Sequence, residues 1–268
     1  MKYIWFFLLF IWALPVKAQP QLEALVDAAY AEWQAFGAPV LDLSSRLTHR
    51  HPGGSVFNLQ VPGGNPREIH IYPRLLRLGT KEDDPAIRDR IKAYWQATPR
   101  GSHFIARQQA IWQIAPHAGW VDAWSSAFIS YLLESAEISP SEVPRSAAHS
   151  TYLNYILAAK SQNWQALSLA AGGIPQPGDI ICADRAIRNT YTSVNDHKPG
   201  TFRPLHCDVV VQQDLPNERI MAIGGNVWDA VTLSVLRLHK PQQNWQLMPT
   251  DDRPWFVILR RTQDTFIK

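Results

Sequence analysis

Two serines, Ser125 and Ser126, follow Trp124 in W-S-S-A-F, just before the apolar run that holds Phe128, Ile129, Leu132 and Leu133. A hydroxyl in the first turn of a helix lies beside unpaired backbone N–H groups, which favour negative charge developing on an attacking oxygen or an oxyanion. The same position suits a serine that merely caps the helix or bonds to backbone. A serine nucleophile needs a base, and His206 heads the run H-C-D-V-V-V. Side chains alternate along a strand, so His206, Asp208 and Val210 share one face, and Cys207, Val209 and Val211 the other. An imidazole base needs a further group to fix its tautomer and orientation. Asn226, after two glycines at the end of the next strand, and Asp208, on the same strand face, are the rival orienters. His149, among the small polar residues Ser146 to Thr151, reads as a substrate contact, as a neighbour of His206, or as an idle helix-surface histidine. Trp124, Ser126 and Trp228 complete the substrate-binding candidates, although an aromatic placed as Trp228 is more often core.

Those groups must be held by elements that periodicity locates. Leu22, Leu25, Val26, Ala29, Trp33 and Phe36 recur at helical spacing and are closed by Gly37. Thr48 to Pro66, with P-G-G-S and P-G-G-N, predicts turns around a short strand at Val56 to Val61. Asp84-Pro85 supplies an N-cap and an N1 proline for a helix to about Ala97. Further helices are expected over about Phe104–Ile114, Asp122–Ala136 and Arg145–Ala159. After the turn wording Gly172 to Gly178 the period changes. Strands are expected at Asp179–Ala183, Cys207–Gln212, Ile220–Gly224, Ala230–Leu238 and Trp255–Arg260. Helices first and a meander afterwards give an α+β domain, with helices packed on an antiparallel sheet. The long loop Arg185 to Pro204 is a candidate rim of a site.

The bulk properties narrow the function classes. Met1-Lys2 precedes an apolar run from Tyr3 to Val16, with small residues Val16 and Ala18 placed for cleavage after Ala18. That pattern is a secretory signal peptide over 1–18, and the run falls short of the ~20 residues that span a bilayer. The expectation is therefore a periplasmic or secreted protein with no stable membrane span after cleavage. Residues 19–80 read as a helix and loop-rich extension, and 81–268 as the main domain. Losing Lys2 and Lys17 lowers a formal charge of +3 to +1, which is no footprint for nucleic acid. Cys182 and Cys207 are the only cysteines. In an oxidising compartment they could pair, and nothing in their spacing is zinc wording.

W-S-S-A-F-I-S-Y-L-L, A-A-H-S-x-Y, P-Q-P-G-D-I-I-C, H-C-D-V-V-V and I-G-G-N-V together resemble the DUF2272 family of bacterial proteins. Beyond it, the order of these segments from about Arg88 to Arg260 is similar to that of the NlpC/P60 and CHAP cell-wall amidases, whose fold is papain-like. In that wider group a Trp-Cys segment opens the central helix, and here Ser125 stands where the nucleophilic cysteine would be. The Pro-x-x-Gly-Asp segment matches Pro175 or Pro177 with Gly178 and Asp179. The catalytic histidine matches His206, and the polar third residue matches Asn226. The resemblance implies an exported hydrolase of amide bonds in peptidoglycan peptides, with Ser125 as nucleophile, His206 as base, Asn226 or Asp208 as orienter, and no cofactor or metal. Its partner would be peptidoglycan or a cell-wall peptide. The serine leaves a second reading open, an inactive papain-like module that binds wall peptide or a protein partner. Cys182 is a rival nucleophile only if its strand brings it into the cleft.

Overall fold

The computed structural model describes residues 20–44, 55–59, 67–71, 77–169, 173–186, 188, 190–239, 246–248 and 253–262. The signal-peptide reading of 1–18 lies outside the described residues. The helices are α1 (Pro20–Ala35), α2 (Pro85–Gln96), α3 (Gly101–Ile114), α4 (Ser125–Ser135) and α5 (His149–Leu157). α2 starts as its sequence dictates: the Asp84 carboxylate accepts the Ala86 N–H at 2.8 Å, and Pro85 occupies a position that needs no donor. Ile87, Ile91, Tyr94 and Trp95 then fall on its buried face. α4 is different, being buried over most of its surface until Glu134 and Ser135 in its last turn. Ala127, Phe128, Ile129, Leu132 and Leu133 are wholly buried, as a central helix surrounded by other elements requires.

The strands are β1 (Val40–Asp42), β2 (Ser55–Leu59), β3 (Arg67–Ile71), β4 (Trp164–Ser168), β5 (Ile180–Asp184), β6 (Leu205–Asp214), β7 (Arg219–Val227), β8 (Ala230–His239), β9 (Gln246–Leu247) and β10 (Trp255–Arg261). β2 and β3 pair with each other. The others form an eight-stranded sheet in the order β1-β8-β7-β6-β5-β10-β4, with β9 on β8. Only β1 runs parallel to its neighbour, so the fold is α+β with a mixed, mostly antiparallel sheet. One sheet face, with Cys207, Val209, Met221, Ile223, Leu233 and Val257, packs on the helices. The opposite face holds a second, smaller cluster that includes Ile181, Ala183, Val210, Ala222, Leu236 and Ile258.

Cys182 and Cys207 face each other in register on β5 and β6, with Cα atoms 4.1 Å apart, and form a disulfide. Closing a loop of 25 residues stabilises a fold by roughly 3–4 kcal/mol in the chain-entropy model. With both sulfurs in that bond, Cys182 supplies no thiolate, and its reading as a rival nucleophile is withdrawn. β1, β3, β4 and β9 were not expected. β1 has three residues, too few to show a period, and β4 alternates only weakly.

Candidate functional site

α4 and α5 meet at their first residues. Ser125 opens α4 and His149 opens α5, and the Ser125 Oγ lies 2.9 Å from His149 Nε2. Neither helix has a side-chain cap on its first residue's predecessor, Trp124 or Ala148, so the terminal N–H groups are not consumed that way. Ser146 holds the entry to α5: its Oγ accepts the Ala148 N–H at 3.0 Å and donates to Thr151 Oγ1 at 2.9 Å. The histidine beside Ser125 is therefore His149, where His206 was expected. His149 is not an idle surface residue either, since it is buried.

His206 stands behind this pair. Its ring lies edge-on to that of His149, with centroids 5.9 Å apart. On its other side His206 Nε2 approaches Asp208 Oδ1 to 2.8 Å, as two residues on one strand face can. The contact lacks the alignment of a hydrogen bond, so both ring nitrogens of His206 and Asp208 Oδ1 have no hydrogen-bond partner among the described residues. The other Asp208 oxygen accepts from Arg253 Nη1 at 3.1 Å, and Arg253 also reaches Ser234 Oγ at 3.2 Å. Gly224 on β7 makes this possible: a Cβ there would fall 1.8 Å from Asp208 Oδ1. The line thus runs Ser125, His149, His206, Asp208, Arg253.

Its electrostatics follow from burial. Burial, reinforced by the neighbouring His206, holds the His149 pKa well below the usual 6.5. His206 is lowered too, because burial outweighs the favourable Asp208 charge. Burial alone would push the Asp208 carboxyl up, but His206 and the Arg253 guanidinium overcome it and hold Asp208 below the ordinary carboxylate value. Both rings are therefore neutral near pH 7 while Asp208 is charged.

The structure also places the other four candidates. Asn226 does not orient His206. It sits in the register shift between Gly224 and Val227 with φ 56°, and makes no side-chain hydrogen bond with His206. The carboxylate beside His206 is Asp208. Ser126 is 2 % exposed and engaged with the Ser146 carbonyl and the Tyr152 hydroxyl, both at 2.8 Å, so it ties α4 to α5 and does not face substrate. Trp124 is wholly buried between Phe36 and Tyr94 and donates its indole N–H to Glu82 at 2.5 Å, which makes it core. Trp228 is the reverse. It is 61 % exposed in the two-residue turn between β7 and β8, where Trp228 and Asp229 both have positive φ. It adjoins the α4 entry only indirectly, because the Asp229 carbonyl accepts the N–H of Glu82, the partner of Trp124.

The loop between β5 and β6 is fastened at both ends of its span. Asp184 accepts Arg203 Nε at 2.9 Å and the N–H groups of Ala186 and Tyr191 at 3.0 and 2.8 Å, while Arg203 lies over the Tyr191 ring. Asn154 of α5 accepts from His197 and Gly200 and donates to the Thr201 carbonyl. The expected rim is thus pinned to the helix that carries His149. Among the described residues no group of three or more His, Cys, Asp or Glu is placed to hold a metal ion, and no helix is long and apolar enough to cross a membrane.

From sequence, His149 reads as a substrate contact, a neighbour of His206 or an idle surface histidine, and not as the partner of Ser125. The helix expected from Arg145 begins at His149 instead, so its place at a helix start comes from the structure. No curated protein and no solved structure matches the chain. Residues 82–261, which hold Ser125, His149, His206, Asp208 and Arg253, match the model of the family described as "uncharacterized protein conserved in bacteria" (DUF2272), and the chain belongs to that family.

Proposed function

We propose that this chain is an exported serine hydrolase with a papain-like arrangement, cleaving amide bonds in peptidoglycan peptides. The observation that carries the reading is the 2.9 Å contact between Ser125 Oγ and His149 Nε2 at the meeting of two helix N-termini. A nucleophile and base within hydrogen-bond reach are the minimum that acyl transfer requires. With its proton on Nδ1, neutral His149 accepts the Ser125 hydroxyl hydrogen at Nε2. Ser125 Oγ attacks the amide carbonyl as that proton moves to Nε2, and the N–H groups of the first turn of α4 face the oxyanion. Collapse breaks the C–N bond while Nε2 returns the proton to the leaving amine. Water, deprotonated by His149, then releases the acyl group from Ser125. Asp208, on the far side of His206 and kept charged by Arg253, is the group that favours the imidazolium. The peptidoglycan substrate rests on the likeness to NlpC/P60 and CHAP amidases.

The test is digestion of purified peptidoglycan by the chain from Gln19 onward, with products read by mass spectrometry. New stem-peptide fragments are expected from the parent and none from Ser125→Ala. His149→Ala should lower the rate by about 10²–10⁴-fold, the usual contribution of a general base. Undiminished cleavage by His149→Ala would sink the assignment of the base. Ser125 is only 9 % exposed and His149 4 %, which favours a second reading: a module of the same fold that binds wall peptide without turnover. Binding to insoluble peptidoglycan with no fragments from any form would select it.

A further inference from the structure

The turn between β7 and β8 holds its two central residues, Trp228 and Asp229, at φ 56° and 64°. Two-residue turns of that kind favour Asn-Gly, because positive φ crowds a Cβ, and a bulky aromatic is poorly suited to them. Trp228 gains no packing in return. It is 61 % exposed, and its indole has no hydrogen bond and no ring partner among the described residues. The backbone around it is nevertheless fixed. The Glu82 N–H donates to the Asp229 carbonyl and the Thr80 N–H to the Phe36 carbonyl, both at 2.8 Å, and Val40 and Arg77 pair across a β-bridge. Leu78, itself exposed, lines a small notch with Trp228 and Lys81, and Lys81 Nζ pairs with Asp229 Oδ2 at 3.1 Å. The turn lies at the Ser125 end of α4. A Cβ on Gly225 would stand 2.5 Å from the Cβ of Phe128 in the first turn of α4, and Trp228 follows Gly225 by three residues, no more than about 11 Å of chain. Glu82, whose N–H holds the turn, accepts the indole N–H of Trp124, the residue before Ser125.

We propose that Trp228 is the platform of a saccharide subsite, on which a pyranose ring of the glycan strand stacks while the peptide it carries runs to Ser125. A pyranose has an apolar face of C–H groups, which meets the negative face of an indole, and an edge of hydroxyl and amide groups. At that edge Lys81 donates and Asp229 accepts. Their mutual pairing leaves the rim without net charge, which suits a neutral ligand, and a platform fixed beforehand loses little freedom on binding it. A protein partner fits less well. An indole buries roughly 150–250 Å² when fully covered, so Trp228 with Leu78 falls well short of the ~800 Å² per side that a stable protein interface buries. Four residues of extended peptide span about 13–14 Å, comparable to the stretch from Trp228 to the first turn of α4.

The choice of a peptidoglycan sugar rests on the substrate proposed above, and the test separates the two. Calorimetry on the chain from Gln19 onward uses a tetramer of N-acetylglucosamine and, for comparison, a sugar-free stem peptide. The tetramer is expected to bind the parent. Trp228→Ala should weaken that binding about tenfold or more, the effect of one aromatic anchor, and Trp228→Tyr should keep most of it. The loss should be selective, with stem-peptide affinity changing little. Trp228→Gly should also lose the tetramer, yet with a Tm no lower than that of the parent, because glycine adopts positive φ at no steric cost. A Tm several degrees lower would mean that Trp228 supports the turn, and would overturn the subsite. Tetramer binding that survives Trp228→Ala, equal losses on tetramer and peptide, or no tetramer binding by the parent would overturn it too, while cleavage of stem peptides by the parent would still uphold the hydrolase. Tetramer binding lost with Trp228, without cleavage of peptidoglycan by the parent, upholds the subsite and overturns the hydrolase. A dimer that dissociates in Trp228→Ala, with no tetramer bound, assigns the indole to a second copy of the chain and overturns the subsite.

Discussion

At the scale of residues, the site depends on two histidines kept neutral by burial, and this fixes a pH response. His149 lies well below its ordinary pKa of 6.5, facing His206, Asp208 and the Arg185 charge, and His206 is lowered as well. For activity, the acid limb of kcat/KM should fall below pH 6.5, because a base with a depressed pKa stays unprotonated there. For stability, the unfolded chain binds more protons than the folded one once pH drops below about 6.5, so both histidines destabilise the fold as pH falls through that value. Asp208, lowered in the folded state, works in the same direction at lower pH: its contribution is present above its unfolded pKa of 3.8 and lost as pH falls through the folded value. Urea midpoints measured from pH 7.5 to 5 should therefore decrease, and His149→Gln should flatten that decrease. A midpoint that rises on acidification would contradict neutral buried rings. Ser125, His206 and Asp208 were legible because helix starts and strand alternation are local patterns. The role of His149 was not, since its meeting with Ser125 joins two helix starts 24 residues apart.

At the scale of elements, α4 is placed by what β7 lacks. Gly225 faces the helix side of the sheet, and a Cβ there would stand 2.5 Å from the Cβ of Phe128. From sequence the strand is expected to end at Gly224. Both glycines instead lie within β7, one admitting the Asp208 carboxylate and the other admitting α4. Periodicity cannot distinguish these uses, because a glycine records the absence of a side chain and not what fills the space. Gly225→Ala should cost about 1–3 kcal/mol, as forced overpacking of a core contact does, and lower Tm by several degrees. Gly224→Ala should act more on catalysis, by displacing Asp208 from His206. Thermal melts and peptidoglycan digestion of the two variants check the distinction. A Gly225→Ala protein as stable as the parent would mean that α4 is not seated against β7 in this way.

At the scale of the whole molecule, the family match from 82 to 261 does not contain all of the core that supports the site. Residues 19–80 read from sequence as an extension, yet α1 packs on α4, β6 and β8, and β1 pairs with β8. Leu25, Ala29, Trp33 and Phe36 are buried in the same cluster as Trp124 and Phe128. Glu32 of α1 accepts from Arg90 at 3.0 Å and from the Tyr94 hydroxyl at 2.5 Å, fastening α1 to α2. Sequence reasoning found α1 but could not show its partner surface, because an amphipathic stripe states that a helix is covered and not by what. Removing residues 19–80 would expose the aromatic layer above α4 and leave β8 with an open edge along β1's former place. A chain beginning at Lys81 should therefore lack a cooperative thermal transition and aggregate, whereas Trp33→Ala in the longer chain should fold with a loss of about 3–5 kcal/mol. Should the shortened chain melt cooperatively near the parent Tm and still cleave peptidoglycan, α1 and β1 would be an appendage, and α4 would owe its position to α2 and the sheet alone.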